Sequence, residues 1–404
     1  MHKVAIIGAG ISGAYLSHRL AKEGVDTIVF DFRVPHEKLC GGGISYKTME
    51  RFPLINELPI PRKEIWKSIL ISPKETEVTI ELEKPLTIIN RRDLDYSLTK
   101  KAIRFGAHLT KEKVQDFARE GNSWNIFTKK GAYKAEVLVG ADGALSGTRR
   151  KLNILPVKND YFFALECFLN ERNGFAIFKF FPDINGYLWV FPRVDTLAVG
   201  IVSNDYRKTN AKDMEERLLQ FLERHYPGRT TKISVRGAYI PIFCPHDSKN
   251  ITICDDNWAL IGDAASFVDP ISGEGIYYAI YSAEILARCI LDNELALYHS
   301  LCMKYFGENL VRALQGYQYF YQAEFIETMI QMAKESPSVR QIISYMISGK
   351  LNYLNWKEKF RNELYIIMSD FISSANRTNK KEMIANLIRL LPKDHWSYFG
   401  SKIL

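Results

Sequence analysis

The chain has 404 residues, a formal net charge of +8, 47% apolar and 25% charged residues. This is room for two or three domains; with no run of five like charges and no zinc-finger or RNA-binding signature, nucleic acid is excluded as the expected partner. No apolar run approaches the ~18 residues of a membrane span, Met-His-Lys running straight into a strand is no secretory signal, and the six cysteines, without a C-x-x-C pair, offer no metal site.

Residues 3–8 read as a buried parallel strand. Ser12 to Lys22 carries Ala14, Tyr15, Leu16 and Leu20 in helical spacing and stops at Gly24, and DTIVFD is a second strand. The chain therefore opens as β-α-β. Gly8, Gly10 and Gly13 stand at the first junction in G-x-G-x-x-G spacing. Gly8 permits a tight turn, Gly10 lets the backbone approach a pyrophosphate, and Gly13 lets helix and strand pack closely. The helix start at Ile11 and Ser12 offers N–H donors to phosphates. Asp31, 18 residues beyond Gly13 and followed by Phe32, ends the second strand where a carboxylate meets ribose hydroxyls.

KLCGGGIS follows, with Lys38, Leu39, Cys40, Gly41, Gly42 and Gly43. Three successive glycines cost backbone entropy; close approach of a planar ring would explain them, and so would a mobile loop. SILISPKETEVTIEL alternates like antiparallel strands, and RRDLDYSLTKKAIRFGA is a helix ending at Gly106. WNIFTKKGAYKAEVLVGAD is a hairpin entering a buried strand that delivers Ala141, Asp142 and Gly143, with Ser146 and Arg149 beyond. From about 160 to 250 short β-rich runs dominate (GFAIFKFF, GYLWVFP, LAVGIVS), interrupted by a helix near 211–226. In the second of these runs, alternation puts Tyr187, Trp189 and Phe191 on one strand face, which suits a sheet core and a ligand wall alike. NWALIGDAA returns to a buried strand. It delivers Gly262, Asp263, Ala264 and Ala265, then Asp269-Pro270, then Gly273, Glu274, Gly275 and Ile276 at the head of a long helix. Beyond about 290 the pattern is helical and aromatic-rich; GYQYFYQAEF reads as helix packing rather than a cofactor box.

These stretches, in this order, resemble the flavoprotein superfamily that includes p-hydroxybenzoate hydroxylase. The resemblance implies FAD rather than NAD as the cofactor. It places Asp263 at the ribityl chain and pyrophosphate, and the glycine-rich helix opening (Gly273, Gly275, Ile276) at the flavin pyrimidine. Asp142, Gly143, Gly262 and Pro270 are implied cofactor contacts in the same segments. Arg91, with Leu94 and Asp95, matches the R-x-x-[FL]-D helix start whose arginine approaches FAD; a helix-capping salt bridge is the plainer role. The implied fold is α/β of α+β character. A Rossmann-like FAD-binding domain (1–60, 88–155 and 250–300) is interrupted by a β-rich substrate domain (61–87 and 156–249) and followed by a helical region (301–404).

Within that superfamily, the Cys-Gly-Gly loop and the Tyr187-x-Trp189-x-Phe191-Pro192 strand resemble the geranylgeranyl reductase family. Pro182 precedes Tyr187 at a longer spacing than in the family's P-x-x-Y pattern. GAYIPIF near 237–243 and SGKLNYLNWK near 348–357 resemble the family's late segments. The resemblance implies reduction of isoprenoid C=C bonds of a geranylgeranyl or polyprenyl lipid, with hydride from flavin N5. Tyr187, Trp189 and Phe191 would line the substrate cavity, Cys40, Gly41 and Gly42 would meet the flavin, and Cys40 is the candidate catalytic thiol. No second G-x-G-x-x-G is present, so the electron donor, NAD(P)H or a reduced ferredoxin-like carrier, stays open. The alternatives are an aromatic hydroxylase (monooxygenase), a halogenase, whose Trp-x-Trp-x-Ile-Pro strand differs at Tyr187, and a non-catalytic FAD or lipid carrier. The expected location is cytoplasmic, with peripheral contact of the basic, aromatic C-terminal helices at the inner face of the cell membrane.

Overall fold

The computed structural model describes residues 1–154, 161–203, 210–230, 233–243, 252–350 and 353–354. In chain order, β1 (His2–Ile7), α1 (Ile11–Lys22) and β2 (Thr27–Phe30) form the opening unit. They are followed by β3 (Gly43–Ile44), α2 (Tyr46–Arg51), α3 (Pro53–Asn56), β4 (Arg62–Ile71), β5 (Glu77–Ile89) and α4 (Arg91–Arg104). Then come β6 (His108–Thr110), β7 (Asp116–Glu120), β8 (Ser123–Phe127), β9 (Ala132–Gly140) and α5 (Gly147–Lys151). The β-rich stretch holds β10 (Tyr161–Leu169), β11 (Ala176–Phe180), β12 (Gly186–Pro192), β13 (Leu197–Ser203), α6 (Ala211–His225) and β14 (Arg236–Pro241). Last are β15 (Cys254–Asp255), β16 (Trp258–Leu260), α7 (Ile276–Leu291), α8 (Tyr298–Cys302), α9 (Glu308–Phe320), α10 (Ala323–Glu335) and α11 (Pro337–Ile347).

The first sheet runs β15-β16-β9-β1-β2-β6, with the β7–β8 hairpin attached to β9. Its central pairs are parallel: Val4 stands opposite Thr27 on one side and Val137 on the other. Val4, Ala5 and Ile6 are fully buried, as a parallel strand covered on both faces requires. One face packs on α1, α4 and α7 through Leu16, Leu20, Leu94, Leu98, Ile280 and Leu286. The chain leaves β1 toward β2 on one side while β9 lies on the other, so the C-terminal end of β1 is the crevice where such sheets bind ligands.

The second sheet runs β14-β10-β13-β12-β11-β4-β5-β3, and most of its neighbours are antiparallel. Period-2 alternation gives its two faces different tasks. Leu165, Cys167, Leu188, Val190, Val199 and Ile201 pack against Met214, Leu218, Phe221 and Leu222 of α6. On the edge formed by β4 and β5, Ile65, Leu70, Val78 and Ile80 pack with Ile326, Ile330, Val339 and Ile343 of α10 and α11. The opposite face of β10, β12 and β13 is left for the cavity. No helix among the described residues is long and apolar enough to cross a membrane. Residues 355–404 of the expected helical region, and 351–352 and 355–357 of the SGKLNYLNWK stretch, lie outside the described residues.

Candidate active site

One continuous cavity of about 1210 Å³ begins at the C-terminal end of β1, passes the Cys40–Gly43 loop and ends among the helices α9–α11. Its first compartment is polar and lies between two helix starts. Gly8 holds φ +107°, and a Cβ there would sit 2.3 Å from Ala141 O. Nothing lies within 4 Å of the position a Cβ would take at Gly10, so the backbone faces open space. No side chain caps the N-terminus of α1, and its first turn carries no acidic residue; both statements hold equally for α7 behind Gly275. Two helix starts with uncapped N–H groups opening on one cavity match a pyrophosphate and an anionic ring system. The residues present therefore fit a dinucleotide such as FAD.

Asp31 is 6% exposed and braces the glycine turn: its Oδ2 accepts from Ala9 N at 3.0 Å and its Oδ1 from Arg33 N at 2.9 Å. It lines the cavity beside Phe32, so turn-bracing is added to the ribose contact expected of it. Asp142 accepts from Thr148 N at 2.9 Å and from Thr148 Oγ1 at 3.0 Å. Arg149 is buried and donates to Ala144 O and Ser266 Oγ, tying two strand ends together. Gly13, Gly262 and Pro270 do not line the cavity. A Cβ on Gly13 would sit 2.0 Å from Gly8 O, and one on Gly262 (φ +57°) 2.9 Å from Ser12 Oγ. These two glycines are places where backbone meets backbone or helix.

Arg91 forms a two-pronged bond to Asp95, Nε to Oδ1 at 3.1 Å and Nη2 to Oδ2 at 2.8 Å, and both residues line the cavity. The helix-start salt bridge and the cavity-facing cation are thus one arrangement. Burial opposes the charge on Arg91, but Asp95 outweighs it and holds the guanidinium above its ordinary pKa. Asp263 is half-buried, and this burial favours its neutral form; Lys38 at 2.6 Å, with Arg91 and Arg149, overcomes this and lowers its pKa. The loop between Asp269 and Gly275 is pinned from several sides. Asp269 Oδ1 accepts from Ile271 N and Ser272 N at 2.8 and 2.9 Å, and Glu274 pairs with Lys47 at 2.6 Å.

The Cys-Gly-Gly loop joins the polar compartment to an apolar one. Cys40 is half-buried; its N–H donates to Glu166 Oε2 at 2.9 Å, its carbonyl accepts from Arg193 at 3.0 Å, and its Sγ accepts from Gly42 N at 3.4 Å. The glycines are explained by the chain's own packing: Gly41 and Gly43 by aromatic rings, Gly42 by a backbone carbonyl. A Cβ on Gly41 would sit 2.5 Å from the Phe191 ring and 2.9 Å from Trp189 Nε1. Gly42 has φ +76° and would press on Ile89 O at 2.1 Å, and Gly43 pairs with Ile88 in β3. This loop is packed on β12 and built into the second sheet.

Tyr187, Trp189 and Phe191 share one strand face, as their alternation predicts, and that face lines the cavity, with Phe178, Phe180 and Phe162 beside them. Tyr187 Oη donates to Ser272 O at 2.7 Å, linking this wall to the head of α7. Burial pushes its hydroxyl pKa well up, so it stays protonated. One expectation is corrected. In GYQYFYQAEF, Gly316, Tyr319, Phe320, Tyr321 and Phe325 line the cavity rather than serving only as packing between helices. The three-dimensional reason is that α9 and α10 close the open side of the second sheet, so their inward stripe meets the void as well as a neighbour. Glu166 and Arg193 are site residues that no sequence motif marks. The available signal was a single glutamate inside the apolar strand YFFALECFL.

No protein-family model matches the chain. An uncharacterised protein of Methanosarcina barkeri is 32% identical over 300 residues, which is 72% of this chain and 74% of the relative. Digeranylgeranylglycerophospholipid reductase 3 of Methanosphaera stadtmanae is 29% identical over 308 residues, 70% of this chain and 76% of the relative. Among solved structures, a geranylgeranyl bacteriochlorophyll reductase-like protein of Thermoplasma acidophilum superposes with a TM-score of 0.74 at 20% identity, covering 89% of this chain and 98% of that one. The halogenase PltM in complex with phloroglucinol and FAD gives a TM-score of 0.66 at 16% identity, covering 98% and 96%, and so shares the fold. With the glycine-lined dinucleotide compartment, the Cys-Gly-Gly junction and the aromatic strand in one cavity, and with these relatives, the chain belongs to the geranylgeranyl reductase family.

Proposed function

We propose that this protein is an FAD-dependent oxidoreductase that saturates isoprenoid C=C bonds of a geranylgeranyl or longer polyprenyl lipid. The observation that carries this reading is the continuity of the cavity: a compartment suited to a dinucleotide opens, at the Cys40 loop, into a compartment walled by aromatic and aliphatic side chains. The relatives named as reductases of geranylgeranyl compounds support it. The residues at the starts of α1 and α7 would hold FAD, which in its reduced form would supply a hydride equivalent to one alkene carbon. An isolated alkene is unpolarised, so the chain's work is to hold it in register and keep water out. Trp189, Phe191 and Phe178 on the sheet side, with Phe320, Phe325 and Met329 on the helix side, supply that apolar grip. Uncapped N–H groups at the head of α7 favour negative charge on the adjacent ring. Cys40, which lines the cavity at the junction of the compartments, would contact both cofactor and lipid. Gly8, Gly10, Ile11, Ser12, Asp31, Arg91, Asp142, Gly143, Asp263, Gly273, Gly275 and Ile276 would hold FAD. NAD(P)H or a small reduced electron carrier would recharge it, and the lipid would be drawn from a membrane surface.

The test is anaerobic. FAD-loaded protein, reduced with dithionite, is mixed with geranylgeranyl lipids in detergent or vesicles, and flavin absorbance and lipid mass are followed. Flavin reoxidation with a gain of two hydrogens per double bond is expected. Flavin that stays reduced with every prenyl lipid tried, together with oxygen- and halide-dependent modification of a phenol, would replace the reductase by a halogenase.

A further inference from the structure

Among the strand residues of the second sheet that line the cavity, Glu166 is the one charged side chain. Across neighbouring strands, Arg236, Glu166, Gly200, Trp189 and Phe178 stand directly opposite one another in a single row. Directly paired residues share a face, so Glu166 points to the same side as Trp189, and it lines the cavity. A Cβ on Gly200 would lie 2.2 Å from the Trp189 ring, so the missing side chain at Gly200 is what lets Trp189 lie across β13. Glu166 is 2% exposed. Its Oε2 accepts from Cys40 N, while its Oε1 is buried without a hydrogen-bond partner among the described residues. Buried carboxyl oxygens are seldom left unpaired unless they have a task. A neutral carboxyl that accepts through Oε2 carries its proton on Oε1, the atom that has no partner here.

Resting on the reading of the site as a prenyl reductase, we propose that Glu166 is the acid that delivers the second hydrogen to the alkene. Reduction breaks one π bond and forms two C–H bonds. One new bond takes its hydrogen and electron pair from the reduced flavin. The other forms between the former π electron pair and the carboxyl proton of Glu166. The carboxylate left behind recovers a proton from water admitted as product leaves. The surroundings keep the acid loaded near neutrality: burial pushes Glu166 up to about 7, Arg193 and Arg236 and the Cys40 N–H pull it down, and Glu37 pushes it up. A pKa near the working pH is what a general acid needs.

Glu166→Gln keeps the shape and the acceptor for Cys40 N but has no acid proton. Three quantities are to be measured in wild type, Glu166→Gln and Glu166→Asp: flavin affinity, the single-turnover rate of flavin reoxidation by a geranylgeranyl lipid between pH 5 and 9, and the infrared carboxyl band across the same range. The proposal expects unchanged flavin affinity in both variants and a carboxyl band in wild type that titrates near 7 and is missing from Glu166→Gln. Turnover should fall by about 10²-fold or more in Glu166→Gln, with its pH dependence flattened, and recover in part in Glu166→Asp. Glu166→Gln turning over at the wild-type rate with the wild-type pH profile overturns the assignment while leaving the reductase reading intact. A Glu166 band that titrates in the ordinary carboxyl range overturns it as well. Wild-type protein that reduces no prenyl lipid overturns the reductase reading, and this assignment with it.

Discussion

At the scale of the residue, Gly41 and Glu166 show how tightly the junction of the two compartments is specified. Gly41→Ala drives a methyl group into the Phe191 ring. Overpacking of this kind costs about 1–3 kcal/mol, so the variant should show a lowered denaturation midpoint, and Trp189 fluorescence should shift as the indole is displaced. Glu166 has a pH signature of its own. Its carboxyl titrates near 7 in the folded chain and near the ordinary value of 4.5 when unfolded. Between those values the folded state holds the extra proton, so stability is full below about pH 4.5 and falls as pH rises toward 7, by up to about 1.4 kcal/mol per pH unit. Denaturant unfolding of wild type and Glu166→Gln at a series of pH values should therefore diverge in that window, with wild type losing stability relative to the variant. Glu166 was hard to read from the sequence because nothing local marks it. Its meaning comes from Gly200 and Trp189 on neighbouring strands and from Cys40, 126 positions away.

At the scale of the element, the opening β1–α1 unit was legible for a physical reason: everything that defines it is local. An apolar strand, three glycines at fixed offsets and a helical stripe all lie within the first 22 residues. Gly13→Ala tests that unit, since its methyl would meet Gly8 O at 2.0 Å. Pushing α1 off β1 moves the donors at its N-terminus away from the phosphates. The variant should lose FAD on gel filtration, with its far-ultraviolet circular dichroism kept. The Tyr187–Phe191 strand was legible as alternation, but alternation alone could not say which side is hollow; α6 fills one side and the cavity takes the other. The helices beyond 308 were legible as helices but not as a wall, because an aromatic stripe looks the same whether it meets a neighbour or a ligand.

At the scale of the whole molecule, the two sheets share one void, and its far end decides what lengths of chain can enter. Met329 on α10 lines that end. Met329→Trp should leave flavin binding unchanged and shift preference toward shorter prenyl chains, read as a change in the ratio of kcat/KM for C10 and C20 substrates. Such partitioning could not be read along the chain, since the void is made jointly by segments near residues 70, 180 and 330 that meet only in the folded state. The segments that line the polar compartment were readable at this scale because each carries its own strand–turn–helix signature.

Two phenolic hydroxyls land on adjacent carbonyls at the head of α7: Tyr187 from the sheet on Ser272, and Tyr321 from the helical wall on Ile271. The turn that would face the flavin ring is thus anchored from both sides of the greasy chamber. Whatever spreads that chamber must pull on the ring's seat, and by thermodynamic reciprocity an occupied seat must resist the spreading. Retention of the yellow chromophore is then a gauge of what fills the oily space. A saturating prenyl ligand should slow flavin loss from the wild type, and the double substitution Tyr187→Phe with Tyr321→Phe should uncouple the two, leaving the dissociation rate indifferent to lipid.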